Sequence, residues 1–182
     1  MINSIKRAVV TLLFSLSSFV VFNSQAQADD LKVGDMAPDF TLIDQHGNDV
    51  SLSAQKGKWV VLYFYPKDDT PGCTTEACSF RDNINRLITQ QAVILGVSVD
   101  SKDSHIAFSK KHNLPFSLLA DVDGKVAKKY DAILDLKLIK FAKRHTFIID
   151  KKGKIAKIYR DVNPSEHVRN VIADLTNLQN ND

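Results

Sequence analysis

The residues able to do chemistry gather in one short stretch. Tyr65-Pro66-Lys67-Asp68-Asp69-Thr70-Pro71-Gly72-Cys73 continues through Thr74-Thr75-Glu76-Ala77 to Cys78, and these are the two cysteines of the chain. Seven consecutive apolar residues, Trp59 to Tyr65, come before the loop. So long a β-rich run fits a strand buried on both faces, as in a parallel sheet. A loop leaving the carboxyl end of such a strand is where open α/β sheets place their sites. Cys73 stands where the loop turns into a helix, and the free N–H groups and dipole of a helix start favour an anion. The thiolate is the nucleophilic form of cysteine, so this position suits a reactive thiol. Thr70 can offer its hydroxyl to a bound oxygen, and Pro66, without an N–H, can shield the sulfur from water. Pro71-Gly72 lets the backbone approach a ligand closely.

Cys78 lies five residues after Cys73. An ideal helix separates such a pair by about 7.5 Å along the axis and about 140° around it. A disulfide needs Cα atoms within roughly 4.4–6.8 Å, so the sulfurs join only if the first turns of the helix unwind. A permanent structural bridge at this spacing is a poor staple, because its loop is short and its geometry strained. The histidines, His46, His105, His112, His145 and His167, form no close ligand pair. His105 and His112 are expected on a solvated helix face.

The elements that must position these residues follow from periodicity. Asp39 to Ile43 and Val50 to Leu52 read as short strands around the turn Asp44-Gln45-His46-Gly47-Asn48. Strands are expected at 58–65 and 92–99, with a helix over 73–90 between them. On that helix Cys73, Ala77, Phe80, Ile84 and Leu87 make the apolar stripe, and Cys78, Arg81, Asp82 and Asn85 the polar one. This is a βαβ unit with a right-handed crossover. A surface helix over 102–112, a strand over 116–119, a helical turn over 125–130 and a hairpin of 146–149 with 155–159 come next. The last helix is expected to be capped by Asn163, with Pro164 at its first position and Glu166 completing a capping-box pattern. Val168, Val171, Ile172, Leu175 and Leu178 are its buried stripe. The fold class is α/β, one domain with a central mixed β-sheet flanked by helices.

Composition narrows the functions. The chain has 182 residues, a quarter of them charged and 44% hydrophobic, which excludes a disordered polymer. Lys6-Arg7, the uncharged run Ala8 to Phe22 and Ala26-Gln27-Ala28 together form a secretory signal pattern. Residues 1–28 are therefore expected to be a signal peptide, and 29–182 the single mature domain. That domain keeps 22 Lys and Arg against 21 Asp and Glu, a net +1; nucleic acid binding by bulk charge is not expected. No membrane attachment is expected after cleavage. In a Gram-negative host the destination is the periplasm, where disulfides persist.

Pro66-x-x-x-Thr70-x-x-Cys73 resembles the active-site motif of the peroxiredoxins. The second cysteine at this spacing resembles the subfamily of bacterioferritin comigratory protein, or peroxiredoxin Q. The likeness spans residues 31–178 and includes Gly34-Asp35-x-Ala37-Pro38-Asp39-Phe40-x-Leu42, Cys78-Ser79-Phe80-Arg81-Asp82 and Arg144-His145-Thr146-Phe147-Ile148-Ile149-Asp150. It implies a thioredoxin-like fold and a thiol peroxidase acting on hydrogen peroxide and organic hydroperoxides. Cys73 would be the peroxidatic thiolate, Thr70 and Arg144 would hold the peroxide, and Cys78 would resolve the sulfenic acid into an intramolecular disulfide. Glu76 would help orient the arginine. The resemblance further implies a thioredoxin-like dithiol reductant, no metal, flavin or haem, and a monomer or weak homodimer. The family's glycine-containing stretch before its arginine is replaced by an apolar, glycine-free segment, 131–143. That segment is read as a helix or loop packed on the core, or else as an exposed apolar lip. A thioredoxin-type disulfide oxidoreductase and a copper-binding chaperone on the same fold are the competing functions. They typically place two and three residues between their cysteines, against four here.

Overall fold

The computed structural model describes residues 30–181; the expected signal peptide, 1–28, lies outside the described residues. The elements are β1 Thr41–Asp44, β2 Asp49–Ser51, β3 Trp59–Phe64, α1 Pro71–Asp82, α2 Ile84–Thr89, β4 Ala92–Ser98, α3 Lys102–His112, β5 Ser117–Ala120, α4 Lys125–Lys129, β6 Ile133–Asp135, β7 Lys140–Ala142, β8 Thr146–Ile149, β9 Ile155–Tyr159 and α5 His167–Asn180. Seven strands form one sheet in the order β2-β1-β5-β4-β3-β8-β9. The centre, β3-β4-β5, is parallel, and the flanking pairs are antiparallel.

The apolar run of β3 explains the two-layer core. Trp59, Val61, Tyr63 and Tyr65 face Phe80, Leu87, Phe108, Val171 and Leu175 from the helices α1, α2, α3 and α5. Val60, Leu62 and Phe64 face the other way, toward Val126, Ala127, Tyr130 and Phe147. Every residue of β3 is buried, because successive side chains of a central strand serve opposite faces. Gly96 on β4 makes room for this packing: a Cβ there would sit 2.7 Å from the Tyr63 ring.

Four expectations need correction. The helix expected over 73–90 starts two residues earlier and breaks at Asn83, whose side-chain amide donates to the Ser79 carbonyl at 2.9 Å. A side chain that takes a helix carbonyl in this way competes with the backbone ladder. The last helix begins at His167, not after Asn163. The Asn163 carbonyl instead closes a turn by accepting from the amides of Glu166 and His167. His105 is fully buried and His112 half-buried, because both share the α3 face of Phe108. Segment 131–143 is a β6–β7 hairpin, anchored at its ends by buried Ala132 and Ala142. Leu134, Leu136, Leu138 and Ile139 along it are exposed, Leu138 by 96%, so only its ends pack on the core: the reading as a helix or loop packed on the core is corrected, and the segment is exposed and apolar as the other reading expected.

Candidate active site

The site forms at the carboxyl ends of β3 and β4. β3 continues through Tyr65 and half-buried Pro66 into the loop Lys67–Thr70. Asp68 pins this loop inside the fold. Its carboxylate accepts from the Tyr65 hydroxyl at 2.8 Å and the Ser104 hydroxyl at 2.7 Å, and lies 2.8 Å from His105 Nδ1. Its amide donates to Asp100, just beyond β4, at 2.8 Å. These bonds tie the loop at Asp68 to the end of β3, to α3 and to the segment after β4, which fixes its approach to Thr70 and Pro71.

Thr70 caps α1 in an extended conformation, and Pro71 takes the first helical position, where its missing N–H costs nothing. The Thr70 hydroxyl donates to the Lys67 carbonyl at 3.0 Å, which leaves its lone pairs as acceptors. The first helical bond runs from the Thr74 amide to the Thr70 carbonyl. The amides of Gly72 and Cys73 lie ahead of it, as free donors at the positive end of a 12-residue helix. Cys73 is itself only 1% exposed.

Strand register brings Arg144 to the same place. β8 runs antiparallel to β3 with Thr146 opposite Tyr63, so the residue two positions before Thr146 arrives beside the end of β3. Arg144 donates from Nη2 to Cys73 Sγ at 3.2 Å and from Nη1 to Glu76 Oε2. One planar guanidinium thus holds the sulfur and the carboxylate together. Glu76 is fully buried, three residues after Cys73 on the same helical face. Burial pushes its carboxyl up to about 7, although the Arg144 charge pulls the other way. His167 Nε2 lies 3.9 Å from Glu76 Oε1 and 2.8 Å from Thr146 Oγ1. Burial, with Arg144 nearby, holds that imidazole down to about 4, so it is neutral. Burial also raises the phenol of Tyr63, which faces Glu76 and Cys73. Gly72 lies close against the guanidinium: a Cβ there would meet Arg144 Nη2 at 3.3 Å and Pro164 Cγ at 3.5 Å.

Cys78 stands apart. It is half-buried, on the next turns of the same unbroken helix, and both cysteines are free. The structure therefore places Cys73, Thr70 and Arg144 together at the start of α1, sets Pro66 in the loop entry just beyond β3, and leaves Cys78 outside the cluster. The sequence reading misses His167 and the Asp68–His105 anchor. The signal for the anchor is present: His105, Phe108 and His112 at helical spacing must share one face.

With this geometry in view, the relatives are informative. Residues 33–158 match the model of the AhpC/TSA family. The chain is 47% identical to peroxiredoxin Bcp of Bacillus subtilis (strain 168) over 155 residues, covering 81% of this chain and 97% of that one. The solved peroxidoxin BcpB of Mycobacterium tuberculosis superposes with a TM-score of 0.77 at 33% identity, covering 81% of this chain and 97% of its own. The bacterioferritin comigratory protein of Xanthomonas campestris, whose structures address alkyl peroxide reduction, gives a TM-score of 0.73 at 33% identity, covering 81% and 96%. The chain belongs to the AhpC/TSA family, and its relatives there are peroxiredoxins of the Bcp and Q type.

Proposed function

We propose that the protein reduces hydroperoxides through Cys73 and is recycled through Cys78 by a thioredoxin-type dithiol. The observation that carries this reading is the Arg144 guanidinium, bridging Cys73 Sγ and buried Glu76 at the start of α1. A cation that donates to the sulfur stabilises its ionised, nucleophilic form. Cys73 attacks one peroxide oxygen and becomes a sulfenic acid, while water or an alcohol leaves. Arg144 and the amides of Gly72 and Cys73 stabilise the charge that develops as the O–O bond breaks. Thr70 accepts the hydrogen bond of the bound hydroperoxide, and Pro66 keeps water from the sulfur. Cys78 then attacks the sulfenic sulfur, expelling water and closing a disulfide. Both cysteines lie on one helix, so the cycle needs a single chain, and a monomer or weak homodimer suffices.

Oxidation is the test of the second half of the cycle. Sulfurs five residues apart cannot bond while α1 is intact. Peroxide treatment should therefore speed amide exchange over residues 71–78, and a dithiol should restore protection. Exchange equally slow in both forms would contradict an intramolecular Cys73–Cys78 bridge.

Gly72→Ala probes the first half. Alanine is the better helix former by about 0.5–1 kcal/mol, so stability should hold or rise. The new methyl group crowds the guanidinium at 3.3 Å, and oxidation of Cys73 should slow about fivefold to tenfold. An unchanged rate would show that Arg144 is not held where catalysis needs it.

A disulfide oxidoreductase is not favoured, because its two sulfurs must bond without unwinding a helix. A copper carrier is not favoured either, because a guanidinium on Sγ repels a metal cation. Export is part of the proposal and is supported by Lys6-Arg7, the apolar run to Phe22 and Ala26-Gln27-Ala28. The mature protein should begin at Asp29 when its N-terminus is sequenced after expression; retention of Met1 would refute the leader.

A further inference from the structure

Cys78 has its own polar surroundings, which the attack on peroxide does not use. His112, the last residue of α3, places Nδ1 3.9 Å from Cys78 Sγ. Its other nitrogen, Nε2, lies 3.0 Å from Asp69 Oδ1. A carboxylate can only accept, so Nε2 carries a hydrogen, and Nδ1, the nitrogen nearest the thiol, is the one whose lone pair can take a proton. Asp69 is held for this contact. It sits in the left-handed region at φ 57°, and its carboxylate also accepts from Lys111 at 3.0 Å. The edge of the imidazole packs against Phe108, with ring centroids 5.0 Å apart. From α1, Arg81 donates to the His112 carbonyl at 2.7 Å, locking the end of α1 to the end of α3. The charged and titratable groups facing His112 are thus Cys78 and Arg81 from α1, Asp69 from the loop and Lys111 from its own helix.

We propose that His112, oriented by Asp69, is the general base that deprotonates Cys78 for the resolving step. This rests on the reading of Cys78 as the resolving thiol. The proton passes from Cys78 Sγ to His112 Nδ1 while α1 is still helical. The thiolate then leaves with the unwinding turns and attacks the sulfenic sulfur of Cys73. The S–S bond forms, the S–O bond breaks, and hydroxide departs as water after taking a proton from solvent. Cys78 is oxidised and the sulfenic sulfur reduced, and His112 later returns its proton to solvent. Asp69 is a positioning residue that acts through the ring.

The test follows both oxidation steps in the full chain, by rapid mixing with hydrogen peroxide, acid quench and intact mass. At neutral pH a free thiol is only a few per cent ionised. His112→Gln should therefore slow conversion of sulfenic acid to disulfide about tenfold, with the slowing confined to that phase. Raising the pH removes the need for a base, because hydroxide can take the proton itself, and the deficit should shrink toward pH 9. Asp69→Asn, on an exposed loop, should show a smaller deficit with the same rescue and stands in if His112→Gln folds poorly. Cys78→Ser separates the two claims. With Cys73 as its one remaining cysteine it cannot close a bridge and should stop at sulfenic acid. If the wild type also stops there, or only links two chains, the reading of Cys78 is wrong. If the wild type closes the bridge and both other variants resolve at its rate, the role of His112 is wrong. A deficit equally large at neutral and high pH would make His112 a packing residue and overturn the proposal.

Discussion

Cys73→Ser should consume no hydroperoxide above the background of buffer, a loss on the order of 10⁴-fold or more, the scale on which deletion of a covalent nucleophile is felt. The reason is chemical. A serine hydroxyl at the same place is neither ionised nor able to carry a stable bond to the transferred oxygen. The side chain is 1% exposed and nearly the size of serine, so folding should survive and the loss can be read as chemistry. Thermal unfolding of the reduced variant checks this. Normal consumption of peroxide by a folded Cys73→Ser protein would remove the assigned nucleophile.

Arg144→Lys should carry the second largest effect. The guanidinium makes two contacts at once, Nη2 to Cys73 and Nη1 to Glu76. A lysine keeps the charge but presents one compact ammonium, which cannot reach both partners in that fork geometry. Removing one preorganised donor from a developing charge costs about 10²–10³-fold, and the second-order rate of Cys73 oxidation should fall about 10²-fold. Stability should change far less. Glu76 already titrates up at about 7 through burial, so near neutrality it can take a proton when its partner is lost, rather than stay as an unpaired buried charge. A rate within about threefold of wild type would mean that positive charge alone, not the fork, serves the sulfur.

Much of this site is legible in the sequence because its parts are contiguous. Pro66, Thr70 and Cys73 lie in one loop and helix start, and the seven apolar residues before them specify a strand buried on both faces. α3, β8 and β9 are readable for the same reason, since their periods and turns are local. The remainder depends on approach between distant segments. Glu76 meets His167 across 91 positions of chain, and nothing local marks His167 as a neighbour of the active helix. The hairpin at 133–142 has an apolar composition that suggests burial, yet its strands pair with each other. The break at Asn83 turns on one side-chain amide reaching back to Ser79, a competition that helical spacing alone does not reveal.

Everything in the proposed reaction depends on a single oxygen atom going to one sulfur. The most direct measurement treats the Cys78→Ser protein with one equivalent of hydroperoxide and maps the product by peptide mass after trapping sulfenic acid. One oxygen on Cys73, with one equivalent of water or alcohol released, is the predicted result. An unmodified Cys73, or oxygen found on another residue with the peroxide consumed, would contradict it.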